Sequence, residues 1–289
     1  IVQNPKGDMF MASPSGFVSL IRRFDSKGII HDFIDTANPK YREAISNSKY
    51  KGLVQKGAVA TITQFSDIVF DPNGNLFTSD RLNHQIRKID TEGNVSTIAG
   101  TGDSDHYGDN GPALEAAFRD PNALASDSEG NIYIADTANN LIRKIDINGI
   151  VTTFAGNGEH SDSGDGGPAL KASIRSMDDI EFNPAGELHI LGTNTHKVRK
   201  ITKDGKIITV AGKGYAGFFG DGGSATKAML QNPAAISFDS KGNMYIADMG
   251  NNRIRKVDDQ GVITTFAGTG SFGWGRTGET VEIYLQNFP

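Results

Sequence analysis

The sequence predicts an all-β chain, a β-propeller of four-stranded antiparallel blades, and three observations predict it. A glycine followed by a short run rich in β-branched and aromatic residues recurs at fixed spacing. A turn signature opening on Asp or Asn stands just before it. Two further apolar strands follow at matching offsets, so the repeat is one supersecondary unit that must stack on its neighbours.

The runs are Gly7–Ser13, Gly74–Asp80, Gly130–Asp136, Gly186–Gly192 and Gly242–Asp248. The last three steps between leading glycines are 56 residues each and the first is 67, which places an 11-residue insertion in the first unit. A second strand follows at Leu20–Asp25, Gln85–Asp90, Leu141–Asp146, Lys197–Thr202 and Arg253–Asp258. A third begins after Gly28, Gly93, Gly149, Gly205 and Gly261, and another apolar stretch precedes each run, clearest at Ser66–Asp71, Asn122–Asp127, Asp178–Asn183 and Ala234–Asp239. Each unit therefore reads as four strands and three tight turns. In the turns at 71–74, 127–130, 183–186 and 239–242, Asp or Asn bonds the local backbone and Gly supplies the positive φ. A meander of this kind has two apolar faces, and radial stacking is the arrangement that buries both.

Five blades are counted, six if the chain is cut from a longer array. The whole chain, 1–289, is expected to be one propeller domain with an insertion at about 35–64. Leu285–Pro289 resembles Leu230–Pro233 at the start of an inner strand, and Ile1–Val2 resembles a later part of it, so the termini are expected to meet there. Linkers of about 20 residues join the units and carry GDNGPALEAAF at 108–118, GDGGPALKASI at 164–174 and GDGGSATKAML at 220–230. Pro112 and Pro168 suit the first position of a short helical turn. Asp109, Asp165 and Asp221 are expected to organise the glycine turn ahead of it.

Composition removes several classes. A net charge of −5 opposes general nucleic-acid binding. No window of 18 apolar residues exists, so no membrane-spanning helix is expected. Zero cysteines exclude disulfides, zinc-thiolate sites and cysteine nucleophiles.

The segments GNIYIADTANNLIRKID at 130–146 and GNMYIADMGNNRIRKVD at 242–258 resemble the NHL-repeat β-propellers, and the GDGGPA linkers resemble those of bacterial members. The resemblance covers nearly the whole chain and is specific for fold. For function it implies protein or RNA binding, with related six-bladed propellers that include a metal-dependent lyase and lactonases. Gly192 and Ser13 depart from the family Asp at the end of the glycine-led run.

The repeated Asp80, Asp136 and Asp248 read as turn-organising carboxylates, because a structural need recurs in each blade while a single active site does not. Arg87, Arg143, Arg199 and Arg255 read as struts between blades. Residues that leave the pattern are free to specialise. His84 and His196 stand where Asn140 and Asn252 stand in other copies, with Asn194 beside His196. Phe218 and Phe219 in one linker, and Trp274 near the end, offer aromatic surface. Tyr41 and Tyr50 lie in the basic insertion. These eight form the candidate ligand-binding set. Asp178, Asp179 and Glu181 are the most concentrated acids and the candidate metal ligands, with calcium the cofactor they would suit; otherwise no cofactor is expected. Gly-x-Ser-x-Gly and His-Glu-x-x-His are absent. The sequence thus points to a non-catalytic scaffold for protein or carbohydrate recognition in an exported bacterial protein, monomeric and extracellular or periplasmic. A calcium- or zinc-dependent hydrolase or lyase with a site at the propeller centre is the alternative.

Overall fold

The first hairpin of blades 2, 3 and 5 is closed by one aspartate, and Asn4 and Asn183 take its place in blades 1 and 4. Asp127 Oδ1 accepts the backbone N–H groups of Glu129 at 3.0 Å and Asn131 at 2.9 Å, while Oδ2 accepts Asn131 Nδ2 at 2.7 Å. Asp71 and Asp239 make the same three bonds in their own turns. The Asp-x-x-Gly-Asn signature is therefore a complete turn: the acid holds the amides and Gly130 takes φ +89°.

The computed structural model describes residues 2–15, 18–24, 30–35, 65–92 and 94–271. It divides into two compact units, Ile1–Gly158 and Glu159–Pro289. The first holds three antiparallel sheets, each built on four strands in simple up-and-down order. Blade 1 comprises Val2–Gln3, Met9–Ser15, Val18–Phe24 and Ile30–Asp35. Blade 2 comprises Phe65–Phe70, Leu76–Asp80, Gln85–Ile89 and Val95–Ala99. Blade 3 comprises Pro121–Ser126, Ile132–Asp136, Leu141–Ile145 and Ile150–Ala155. The second unit holds blade 4, Met177–Phe182, Leu188–Gly192, Lys197–Ile201 and Ile207–Ala211. Blade 5 follows, with Ala235–Phe238, Met244–Asp248, Arg253–Val257 and Val262–Ala267. The fold class is the all-β propeller that the repeat predicts. The expected meeting of the termini rests on Leu285–Pro289, outside the described residues.

The apolar cores lie at the seams. Phe10 and Ile21 of blade 1 pack with Phe65, Ile68, Leu76 and Ile89 of blade 2. Phe77, Ile86 and Ala99 of blade 2 pack with Leu124, Ile132, Ile134 and Val151 of blade 3. In the second unit Leu191, Val198 and Ala211 of blade 4 meet Ile236, Met244, Ile246 and Ile263 of blade 5. Each seam removes two greasy faces from water at once, at about 25 cal/mol per Å².

The linkers run back along the outer strand of the blade they lead into. Gly111–Pro112 pairs with Ile150–Val151, and Gly223–Ser224 with Val262–Ile263, which covers part of an otherwise open edge. A 3₁₀ turn follows at Ala113–Glu115, Ala169–Lys171 and Ala225–Lys227. Pro112 and Pro168 sit one residue ahead of the first helical position, as extended caps. The linker then folds on itself closely: a Cβ on Gly164 would lie 2.8 Å from the Ala172 Cα, and Ala172 is fully buried. That contact explains the fixed Gly-to-Ala spacing.

Candidate functional site

At the end of the second strand in blades 2, 3 and 5, Asp80, Asp136 and Asp248 are completely buried. Asp136 Oδ1 accepts the Arg119 backbone N–H at 2.7 Å and Oδ2 accepts Asn139 Nδ2 at 2.9 Å. Asp248 does the same with Gln231 N–H and Asn251 Nδ2, each at 2.7 Å. Burial pushes the Asp136 carboxyl up to about 6, against the opposing pull of these donors and of Arg143. The arginines complete the clasp. Arg87 Nη2 is 2.9 Å from Asp80, and Arg255 Nη1 is 3.3 Å from Asp248. This network is structural: both carboxylate oxygens are spent on the fold.

The linker aspartates do something other than hold the glycine turn. Asp109 lies 2.7 Å from Arg143 Nη2, Asp165 2.7 Å from Arg199 Nη2 and Asp221 2.7 Å from Arg255 Nη2. Each also accepts a threonine hydroxyl from the outer strand: Thr153, Thr209 and Thr265. The expected turn role is corrected accordingly. The Asp of the GDGG motif is the second counter-ion of the strut arginine, whose buried charge is costly to leave unpaired.

Blade 4 departs from this pattern, with Gly192 and Thr195 in place of the Asp and Asn. Thr195 Oγ1 donates to the Gly192 carbonyl at 3.1 Å. Arg199 turns to the linker, where Asp162 accepts from Nη1 at 3.1 Å and Lys197 also reaches Asp162 at 2.8 Å.

Blades 2 and 4 share features that blades 3 and 5 lack. In the inner strand, Asp67 Oδ2 accepts the Leu124 N–H of the next blade at 2.8 Å, and Asp179 Oδ2 accepts that of Ile236 at 2.7 Å. Ala123 and Ala235 occupy the position in blades 3 and 5. In the turn, His84 Nδ1 accepts the Asp120 N–H and His196 Nδ1 that of Asn232, both at 3.2 Å. The repeat therefore alternates with a period of two blades.

The candidate residues fall as follows. His84 and His196 are in the left-handed region, φ 54° and 52°, with the imidazole turned to the neighbouring blade's backbone. Asn194 Nδ2 donates to Ser176 Oγ at 3.3 Å. Asp178 accepts the Thr193 N–H at 2.9 Å, Asp179 is the seam residue just described, and Glu181 pairs across the sheet with His189. Among the described residues no group of three or more His, Asp or Glu side chains is placed to hold a metal ion. Tyr41, Tyr50 and Trp274 lie outside the described residues.

Phe218 and Phe219 stand at the tip of the blade 5 linker. Phe219 is 62% exposed and neighbouring Tyr215 68%. The Arg253 guanidinium lies 3.9 Å from the centre of the Phe218 ring, and Lys213 Nζ 5.8 Å from that of Phe219. Counting from Gly100, Gly156 and Gly212 puts the three linker tips in register: Asp103, Glu159 and Tyr215 at one position, His106, Asp162 and Phe218 at another, and Tyr107, Ser163 and Phe219 at the next. The tips differ chemically while their frame repeats.

The family model for the Teneurin NHL domain matches residues 101–164 and 214–277, each a linker with the blade it leads into, 3 and 5. Teneurin-m of Drosophila melanogaster is 28% identical over 257 residues, covering 80% of this chain and 9% of that protein. The chain spans about a tenth of the length of the curated relatives it matches. Among solved structures, an auxiliary nutrient binding protein from Bacteroides thetaiotaomicron aligns with TM-score 0.59 and 15% identity, covering 92% of this chain and 56% of that one. Virginiamycin B lyase from Staphylococcus aureus aligns with TM-score 0.53 and 16% identity, covering 92% and 68%. At these identities the likeness is one of fold alone.

Proposed function

The chain is an NHL-repeat β-propeller, and on that premise we propose that it is a non-catalytic binding scaffold that holds a protein partner on its linker loops. One observation carries this reading: linkers with the same backbone frame end in tips of different chemistry. The blade 3 tip carries Asp103, Asp105, His106 and Tyr107; the blade 4 tip carries Glu159 and His160, with Asp162 drawn in to Lys197 of the blade; the blade 5 tip is aromatic and cationic. A structural requirement would repeat along with the frame. Recognition varies loops on a rigid support.

A carbohydrate is the second partner class, favoured by the exposed rings of Tyr215 and Phe219. The metal-dependent alternative has less behind it, since Asp178 and Asp179 each already accept a backbone amide. Location outside the cytoplasm, in a monomeric form, belongs to the same proposal. The GDGGPA linkers, expected to mark bacterial proteins, here accompany a match to an animal protein, so no lineage is built on them.

The test grafts Gly-Ser sequence onto 103–107, 159–161 and 215–219 together and leaves Asp162, Ser163 and the flanking glycines and aspartates in place. Partners captured by the native chain, identified by mass spectrometry and confirmed with purified components, are expected to be lost while the thermal transition persists. Capture that survives the triple graft refutes the linker-loop scaffold.

A further inference from the structure

We propose that the tip of the blade 5 linker is a docking site for a partner-protein segment that carries an apolar anchor flanked by carboxylates. This rests on the scaffold reading and names the partner's chemistry.

The starting point is a pair of missing acids. At the first of the aligned tip positions the other two linkers carry Asp103 and Glu159, and blade 5 carries Tyr215. At the second, blade 4 carries Asp162, the counter-ion of Lys197, and blade 5 carries Phe218. Arg253 occupies the place of Lys197 in its own blade. The cation is kept and its carboxylate is gone. Arg253 donates instead to the Asn251 and Thr269 carbonyls and stacks on Phe218. Lys213 lies over Phe219. Among the described residues neither Lys213 nor Arg253 has an ion pair. The one acid of this linker, Asp221, is committed to Arg255 and Thr265.

The second observation is rigidity. The Gly217 N–H donates to Leu230 O at 3.2 Å, the Met229 N–H to Phe219 O at 3.1 Å, and Asn251 Nδ2 to Gly217 O at 2.8 Å. A loop exposing Tyr215, Phe218 and Phe219 is thus fixed by backbone bonds on both sides, with Met249, 59% exposed, in the turn it is pinned to. Aromatic side chains on a fixed backbone give large contact area with little ordering cost, and the cations beside them select carboxylates. A partner segment fits if its anchor covers Tyr215 and Phe219 and its acids replace those absent from the repeat.

The test uses the full chain and three labelled twelve-residue peptides: one with a central Trp between Asp and Glu residues, one with Lys in place of those acids, and one acidic with Ala in place of Trp. Fluorescence anisotropy is expected to show binding of the first alone, weakening as salt rises. Phe219→Ser and Tyr215→Ser should each weaken it about tenfold. Lys213→Glu should weaken it similarly and transfer preference to the Lys peptide, a gain that misfolding cannot produce. Equal binding of both charge types, no binding of the acidic Trp peptide, or indifference to Lys213→Glu would overturn the proposal, as would binding of a neutral oligosaccharide in the peptide's place. If the peptides fail while the triple graft still abolishes capture, this docking site falls and the scaffold reading stands.

Discussion

Asp162 accepts Arg199 Nη1 at 3.1 Å in blade 4, whose second strand ends in glycine where those of blades 2, 3 and 5 end in aspartate. A charge moved from strand to linker, and the buried guanidinium kept two carboxylate partners, Asp162 and Asp165. Removing Asp162 leaves Arg199 short of one. Asp162→Ala is expected to lower unfolding free energy by about 2–4 kcal/mol in denaturant titration, less than loss of the whole network because Asp165 remains.

The same blade makes a prediction about paired replacement. A Cβ at Gly192 would collide with Thr195 Oγ1. Gly192→Asp alone should therefore destabilise the chain. Adding Thr195→Asn, which recreates the Asp–Asn pair of the other blades, should recover part of the loss. A coupling of about 1 kcal/mol or more in a double-mutant cycle is the expected result.

His189 stands where blades 3 and 5 have Tyr133 and Tyr245, is buried, and packs at a tilt against Phe238 with ring centres 4.6 Å apart. Burial pulls its imidazole down to about 4. The unfolded chain then binds more protons than the folded one between about 4 and 6.5, so stability falls as pH drops through that window. His189→Tyr should remove that dependence and gain about 2–3 kcal/mol over the native chain at pH 4, measured by thermal or denaturant unfolding.

Asp67 has the opposite sign. Burial raises its carboxyl to about 6 although the Leu124 and Ile68 amides pull it down. Here the folded chain holds the extra proton between about 4 and 6, and stability falls as pH rises through that range. Asp67→Asn should flatten that limb by at most about 2 kcal/mol and leave the acid limb set by His189 in place.

The turn histidines are expected to be replaceable. His84→Asn puts in the residue that Asn140 and Asn252 already supply at the same left-handed position, and asparagine tolerates that φ. A change within about 1 kcal/mol is expected, whereas His84→Val should cost more, because a β-branched residue resists positive φ. Chemical denaturation of the two variants side by side checks this.

The blades were legible because their cause is local and repeated. The Asp-x-x-Gly turns, the strut arginines and the alternation of apolar residues recur at 56-residue steps, and the structure places them as the spacing requires. The buried role of Asp80, Asp136 and Asp248 was legible for the same reason. What escaped the sequence is non-local. Asp109, Asp165 and Asp221 sit beside glycines, so a turn role reads naturally from the chain; their true partners, Arg143, Arg199 and Arg255, lie 34 residues on and become neighbours only when the linker folds back along the outer strand. His84 and His196 drew attention as candidate ligands because they differ from Asn140 and Asn252. In space they do the backbone work of the seam.

The alternation of Asp67 and Asp179 with Ala123 and Ala235, in step with that of histidine and asparagine, sets a rule for anyone resizing this array. A blade carrying the aspartate is made to be followed by one that offers a bare amide, so the transplantable module is the couple. Insertions or deletions of 112 residues preserve every such match, while a lone blade added or removed leaves one carboxylate facing a neighbour it was not built for.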